Sequence, residues 1–127
     1  MIVVDTSAPI AIILGEPAGP LCLAALETET EILMSAGTLA ELLIVAARLG
    51  ITEQVTGLVH RGGFKIIAVT GATAATAGRA YKAWGKGFHP AGLNFGDCFA
   101  YALAEQYACG LLFVGDDFAR TDVQRAL

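Results

Sequence analysis

Four short, largely apolar runs are spaced widely along the chain, and they constrain the fold more than any other feature. Ile2–Val4, residues 31–35 (E-I-L-M-S), residues 65–69 and residues 111–114 are too short for stable helices and rich in bulky aliphatic side chains. Each reads as a strand, and none alternates apolar with polar residues, which is the pattern of strands covered on both faces. The intervals between them carry helix signals. Ser7 is placed to N-cap a helix through Leu14, with Pro9 tolerated in its first turn. Gly15-Glu16-Pro17 breaks it, and residues 18–27 form a second short helix. Thr38 precedes a long helix to Leu49, stopped by Gly50, and residues 51–61 follow as another helix before the Gly62-Gly63 turn. Residues 72–84 form an alanine-rich helix, 86–92 a loop (K-G-F-H-P-A-G), and 94–109 a helix ended by Gly110. The order β-α-α-β-α-α-β-α-α-β predicts an α/β fold, with a parallel sheet of four to five short strands and helices on both faces. With 127 residues the chain is read as one domain, 1–127.

Composition narrows the class. Hydrophobic residues are 55% of the chain and mean hydropathy is +0.62, which excludes intrinsic disorder. No apolar run approaches the roughly 18 residues of a membrane span, so no membrane partner is expected. Met1-Ile2-Val3-Val4-Asp5 lacks the basic n-region of a signal peptide, so the chain reads as soluble and cytoplasmic. Cys22, Cys98 and Cys109 lie in apolar helical stretches without metal-like spacing and read as buried free thiols. Twelve acids face eight bases, for a net charge of −4, which disfavours an ordinary basic nucleic-acid binder.

The acids are unevenly placed. Asp5, Glu41, Asp97, Asp116 and Asp117 adjoin strongly apolar segments, where a lone carboxylate is costly. Setting four of them aside as one bound cluster leaves eight acids against eight bases. Ligands of open α/β sheets bind beyond the carboxyl ends of the strands. Asp5 ends the first strand, Asp116 and Asp117 follow the fourth, and Glu41 lies in the first turns of the helix after the second. Asp97 begins a helix that leads into a strand. It reaches the same edge if the 86–92 loop first carries the chain back over the top. Singly, Asp5 suits a helix cap, Asp97 a first-turn charge facing the helix dipole, and Asp116 and Asp117 a solvated turn, whereas Glu41, flanked by Ala40 and Leu42-Leu43-Ile44, has few plain explanations. Jointly, they describe a site. Carboxylates crowded this way repel one another unless a cation joins them, and Mg²⁺, or Mn²⁺ in its place, prefers such hard oxygen ligands. A metal held by carboxylates and water suits phosphoryl chemistry.

The residues Val3-Val4-Asp5-Thr6-Ser7, the stretch from Ser35 to Glu41 (S-A-G-T-L-A-E), Gly92-Leu93-Asn94-Phe95-Gly96-Asp97-Cys98, and Leu111 to Phe118 with Thr121-Asp122 after it resemble the PIN-domain ribonucleases. Within these they resemble the VapC-type toxins of toxin–antitoxin pairs, over nearly the whole chain. The resemblance implies a PIN-like three-layer sandwich. It also implies a Mg²⁺-dependent endoribonuclease toxin with Asp5, Glu41 and Asp97 as catalytic and metal-binding acids. Asp117 or Asp116 would be the fourth, with Asp117 placed first because such toxins often carry G-x-D-F. Thr6 and Asn94 would orient carboxylates or water. A small antitoxin protein and a second copy of the chain are the implied partners, beside the RNA substrate.

Arg79, Lys82, Lys86 and His89 fall within eleven residues, interleaved with Tyr81, Trp84 and Phe88. Cations for phosphate and aromatics for unstacked bases make this the candidate RNA-contacting segment, although a solvated helix end with Trp84 in the core would look the same. The helix ending at Leu49 is apolar almost all round, and small residues recur from 72 to 80, both compatible with protein interfaces. Rival readings fit less well. A phosphoacceptor receiver would place a lysine after a late strand, and none follows residues 111–114. A dehalogenase-type phosphatase would place an aspartate where Ser7 stands. A PIN-like protein that binds RNA or a partner with little catalysis is the remaining alternative.

Overall fold

The computed structural model describes residues 1–127. Four parallel strands, β1 (Ile2–Val4), β2 (Ile32–Ser35), β3 (Lys65–Ile67) and β4 (Gly110–Leu112), lie in the order β3-β2-β1-β4. Their register pairs Ile2 with Ile32 and Gly110, and Leu33 with Lys65. The helices are α1 (Ser7–Leu14), α2 (Gly19–Thr28), α3 (Ala36–Leu49), α4 (Thr52–Arg61), α5 (Gly71–Trp84) and α6 (Phe95–Tyr107), followed by a short 3₁₀ turn, Phe118–Arg120. No single helix is long and apolar enough to cross a membrane.

Strand alternation divides the core into two layers. Val3, Leu33 and Leu111 face α5 and α6, packing with Ala77, Ala80, Cys98 and Leu103. Ile2, Val4, Ile32, Met34 and Leu112 face the other way, onto Ala8, Cys22, Leu26, Leu42, Ala46 and Val55 of α1 to α4. The expected three-layer α/β sandwich is therefore what the chain forms. All three cysteines are free, Cys22 and Cys98 fully buried and Cys109 partly so.

Four local expectations are corrected. The hydroxyl of Ser35, not a residue at position 38, caps α3 by accepting from Gly37 N–H, so the helix starts earlier and Thr38 lies buried within it. Ser7 is the first residue of α1 rather than its cap, because its hydroxyl bonds elsewhere; Thr6 takes the cap position without a side-chain bond. The third strand ends at Ile67, since the chain turns away toward Thr70, whose hydroxyl caps α5. The last helix ends not at Gly110 but at Ala108, in the left-handed conformation with φ 49°. Gly110 begins β4 instead. A Cβ there would lie 3.2 Å from the Ala126 Cα, so glycine eases a close approach rather than stopping the helix. That approach lets residues 124–126 pair along β4: Leu111 N–H donates to Gln124 C=O at 2.8 Å, and Ala126 N–H to Leu111 C=O at 3.1 Å. The possible fifth strand is this single bridge.

Candidate active site

The carboxyl ends of β1, β2 and β4 open into a cleft of about 470 Å³, lined by Asp5, Thr6, Ser7, Glu16, Glu41, Asn94, Asp97, Gly115 and Asp117 among others. No lysine, arginine or histidine lines it. The five acids arrive from five places in the chain, and the sheet topology gathers them.

Asp5 follows β1 directly and is 5% exposed. Its Oδ2 accepts from Ser7 N–H at 3.0 Å and from the Ser7 hydroxyl at 2.6 Å, while its Oδ1 is buried with no hydrogen-bond partner. Burial raises the Asp5 carboxyl above the usual carboxylate range; the Ser7 bonds oppose this, and the Glu41 charge adds to it. Glu41, one turn into α3, accepts at Oε1 from the Thr6 hydroxyl at 2.7 Å. Its carboxylate lies against the backbone of Gly96, where a Cβ would come within 2.0 Å of Oε2. A side chain at that position would push the Glu41 carboxylate aside.

Asp97 is set by a capping box at the start of α6. Its amide donates to Asn94 Oδ1 at 2.8 Å and its Oδ2 accepts from Asn94 N–H at 2.9 Å. Burial pushes the Asp97 carboxyl up to about 7; the Asn94 bond opposes this, and the charges of Asp5, Asp117 and Glu41 raise it further. The loop expected to return the chain to this edge does so: Lys86 N–H donates to Leu93 C=O and Leu93 N–H to Trp84 C=O, closing residues 86–92 into a knot before Asn94. The two acids after β4 are both exposed; Asp117 is in the cleft lining and Asp116 is outside it.

The basic segment lies apart from this lining. Arg79 bonds the Thr76 hydroxyl, and Lys82 and Lys86 are exposed. His89 accepts at Nδ1 from Ala91 N–H and packs edge-on to Trp84 at 4.7 Å. Trp84 donates to the Tyr101 hydroxyl, which in turn donates to Asp122, so this aromatic is structural. Phe88 is exposed, edge-on to Tyr81.

Three further residues matter that sequence reasoning passed over. Ser7 grips Asp5, Glu16 adds an acid to the rim, and Arg120 reaches from the turn after Asp117 to the Pro90 carbonyl, linking the cleft to the basic loop. Only Ser7 had a visible signal, its place two residues after Asp5, and that signal equally suits a helix cap.

A divalent cation suits this donor set. The donors are hard carboxylate oxygens, one of them buried without a partner, and Asp5 and Asp97 are displaced toward the protonated form by burial first and by neighbouring acids second. The side chains stand as a rim, and no three His, Cys, Asp or Glu groups close into a ready-made cage.

The chain matches the PIN domain over residues 2–124. It is 40% identical over 124 residues to the VapC ribonuclease Mb0640 of Mycobacterium bovis, covering 95% of each chain. It is 39% identical over 124 residues to the ribonuclease VapC of Mycolicibacterium smegmatis, covering 95% of this chain and 96% of that one. Its fold is shared with Mycobacterium tuberculosis VapC20, described as a sarcin–ricin loop cleaving toxin, at a TM-score of 0.77 and 14% identity over 97% of this chain and 96% of that one. A toxin–antitoxin complex from Klebsiella pneumoniae aligns at a TM-score of 0.72 and 19% identity, covering 96% and 93%. With a sandwich that gathers acids from across the sequence at one sheet edge, and a similarity that runs almost end to end, the chain belongs to the PIN-domain family, among the VapC ribonucleases.

Proposed function

We propose that this protein is a Mg²⁺-dependent endoribonuclease, with Mn²⁺ as a substitute, and the toxin of a toxin–antitoxin pair. The observation that carries the reading is the cation-free lining of the cleft, where a buried, unpartnered Asp5 oxygen stands among Glu41, Asp97 and Asp117. Asp5, Glu41, Asp97 and Asp117 would hold the metal, with Asp116 outside the set. Bound there, the ion would supply an activated water and charge stabilisation at the scissile phosphate. The chain's own residues do the rest. Thr6 holds the Glu41 carboxylate through one oxygen, and Asn94 holds Asp97 through one oxygen, so each keeps the other oxygen for ligation. Phosphate oxygens are repelled by an uncompensated acid cleft, which makes substrate entry dependent on the cation. Arg79, Lys82, Lys86 and His89 would guide RNA toward the cleft from outside it.

Two apolar faces suit protein partners. Leu14 of α1 and Leu43 and Ile44 of α3 are exposed beside the cleft-lining Ile10 and Val45, a track for an apolar antitoxin segment carrying an arginine to the acids. Val69, Ala74, Gly78, Phe95 and Phe99 line an apolar groove between α5 and α6, with Phe95 75% exposed, and a second copy of the chain would cover it. A cytoplasmic setting would suit an RNA substrate and three free thiols.

The deciding experiment incubates the purified protein with total RNA in Mg²⁺, in EDTA, and as Asp5→Asn. Cleavage confined to the Mg²⁺ wild type is expected. Undiminished cleavage in EDTA, with contaminating nuclease excluded, defeats the metal mechanism. Expression in a naive host should stop growth, and co-expression of the neighbouring reading frame should restore it; a harmless wild type defeats the toxin reading.

A further inference from the structure

The ends of β1 and β4 are joined through one hydroxyl. Ser7 Oγ accepts from Val114 N–H at 2.9 Å and donates to Asp5 Oδ2 at 2.6 Å, while Ser7 N–H gives that same oxygen a second bond at 3.0 Å. A serine has one hydroxyl proton to give, and here it goes to Asp5. The hydroxyl takes no part in starting α1, whose cap position is Thr6. Two bonds on Oδ2 and none on the buried Oδ1 fix the plane of the carboxylate and leave one oxygen bare. Val114 is also the point where the chain leaves the sheet toward Gly115 and Asp117, both in the cleft lining. Its amide would otherwise continue the β4 ladder or bind water. The same hydroxyl therefore sets the angle of one acid and the departure of the segment that carries another.

We propose that Ser7 is the positioning residue of the acid cleft, a clasp between β1 and β4 that presents Asp5 Oδ1 to a divalent cation and holds the Asp117 segment in place. The proposal rests on the metal-dependent reading above. It goes beyond that reading by assigning the ordering of the acid set to a hydroxyl whose own bonds go to Asp5 and to the Val114 amide. Groups that orient metal ligands in this way typically alter metal affinity by 10- to 100-fold when removed.

The test uses the full chain and Mn²⁺ as the probe, with free ion followed by electron paramagnetic resonance. Ser7→Ala is expected to bind Mn²⁺ about 10- to 100-fold more weakly, and Ser7→Thr, which keeps the hydroxyl, within about twofold of wild type. Hydrogen exchange at the Val114 amide, measured without metal, should accelerate in Ser7→Ala and stay slow in Ser7→Thr. Tyr101→Phe serves as the control: it removes the bond to Asp122 outside the cleft, so it should lower stability without changing Mn²⁺ affinity. If Ser7→Ala does not fold, Ser7→Cys carries the same test, because a thiol of similar size hydrogen-bonds weakly and should bind Mn²⁺ less tightly than Ser7→Thr. Wild-type Mn²⁺ affinity in Ser7→Ala, or a Ser7→Thr as weak as Ser7→Ala, overturns the assignment while leaving the metal-dependent reading intact. A wild-type protein that binds no Mn²⁺ overturns both.

Discussion

Replacing Asp97 with asparagine should make the metal-free protein more stable and catalytically inert, and the gain should depend on pH in a defined way. The carboxyl titrates near 7 in the folded chain and near 3.8 in the unfolded one. Between those values the folded state holds more protons than the unfolded state. Stability from this group is therefore highest below about pH 4, falls as pH rises toward 7, and levels off above it. At 1.36 kcal/mol per pH unit the ionised side chain would cost the fold up to about 4 kcal/mol at pH 8. Asp97 is buried but borders an open cleft, so relaxation and water entry on ionisation reduce this to about 2 kcal/mol. Asparagine carries no charge, and its oxygen can accept from Asn94 N–H, so the capping box is kept. Urea unfolding of both proteins in EDTA at pH 4, 6 and 8 measures the difference. Asp97→Asn should match wild type at pH 4 and exceed it by about 2 kcal/mol at pH 8. In saturating Mg²⁺ the order should reverse, because only wild type gains stability by binding. A stability difference that stays flat from pH 4 to pH 8 would refute the claim that crowding and burial load this acid.

Gly96→Ala should cut RNA cleavage by about tenfold or more with little change in melting temperature, because the new methyl group displaces the Glu41 carboxylate rather than core atoms; kinetics and thermal melts on one preparation check this. Asp117→Ala should cripple cleavage while Asp116→Ala is mild, and the reverse result reassigns the fourth acid. Replacing Lys82 and Lys86 with glutamine should raise KM more than it lowers kcat and reduce the salt slope of single-stranded RNA binding by about 1 to 1.5, each phosphate contact contributing about 0.7. An unchanged slope returns these lysines to the solvated surface.

The architecture was legible because strand and helix periods are local. Four apolar runs and the stops between them suffice to order the elements, and parallel connections then leave few topologies. The acid edge was legible for a related reason: a residue just past a parallel strand must lie at the carboxyl end, wherever that strand sits in the sheet. What sequence could not decide are choices between a local and a distant partner. Ser7 reads as a cap and Ser35 as a strand end, yet Ser35 caps α3 while Ser7 spends its hydroxyl on Asp5 and Val114. Gly110 looked like a helix stop, and its real constraint is an Ala126 backbone sixteen residues away. Trp84 among cations resembled a base-stacking aromatic, and its indole N–H is taken by Tyr101. Asp116 and Asp117 differ by one residue and are both exposed, and only the turn after Gly115, with its φ of 100°, decides which of them joins the cleft lining.

The pairing of residues 124–126 along β4 has a consequence for behaviour in concentrated solution. A parallel sheet ends in two rows of unmet amides and carbonyls, and such rows template the addition of strands from other molecules. On the β4 side, Leu111 has both its amide and its carbonyl occupied from within the chain. On the β3 side, the outer strand is three residues long and begins with an exposed lysine. A sequence that is more than half hydrophobic thus offers little edge on which a fibril could grow. Deleting residues 124–127 would remove no acid from the cleft, yet the shortened chain should gain thioflavin-positive aggregates faster than the full chain, as the uncovered β4 recruits its neighbours.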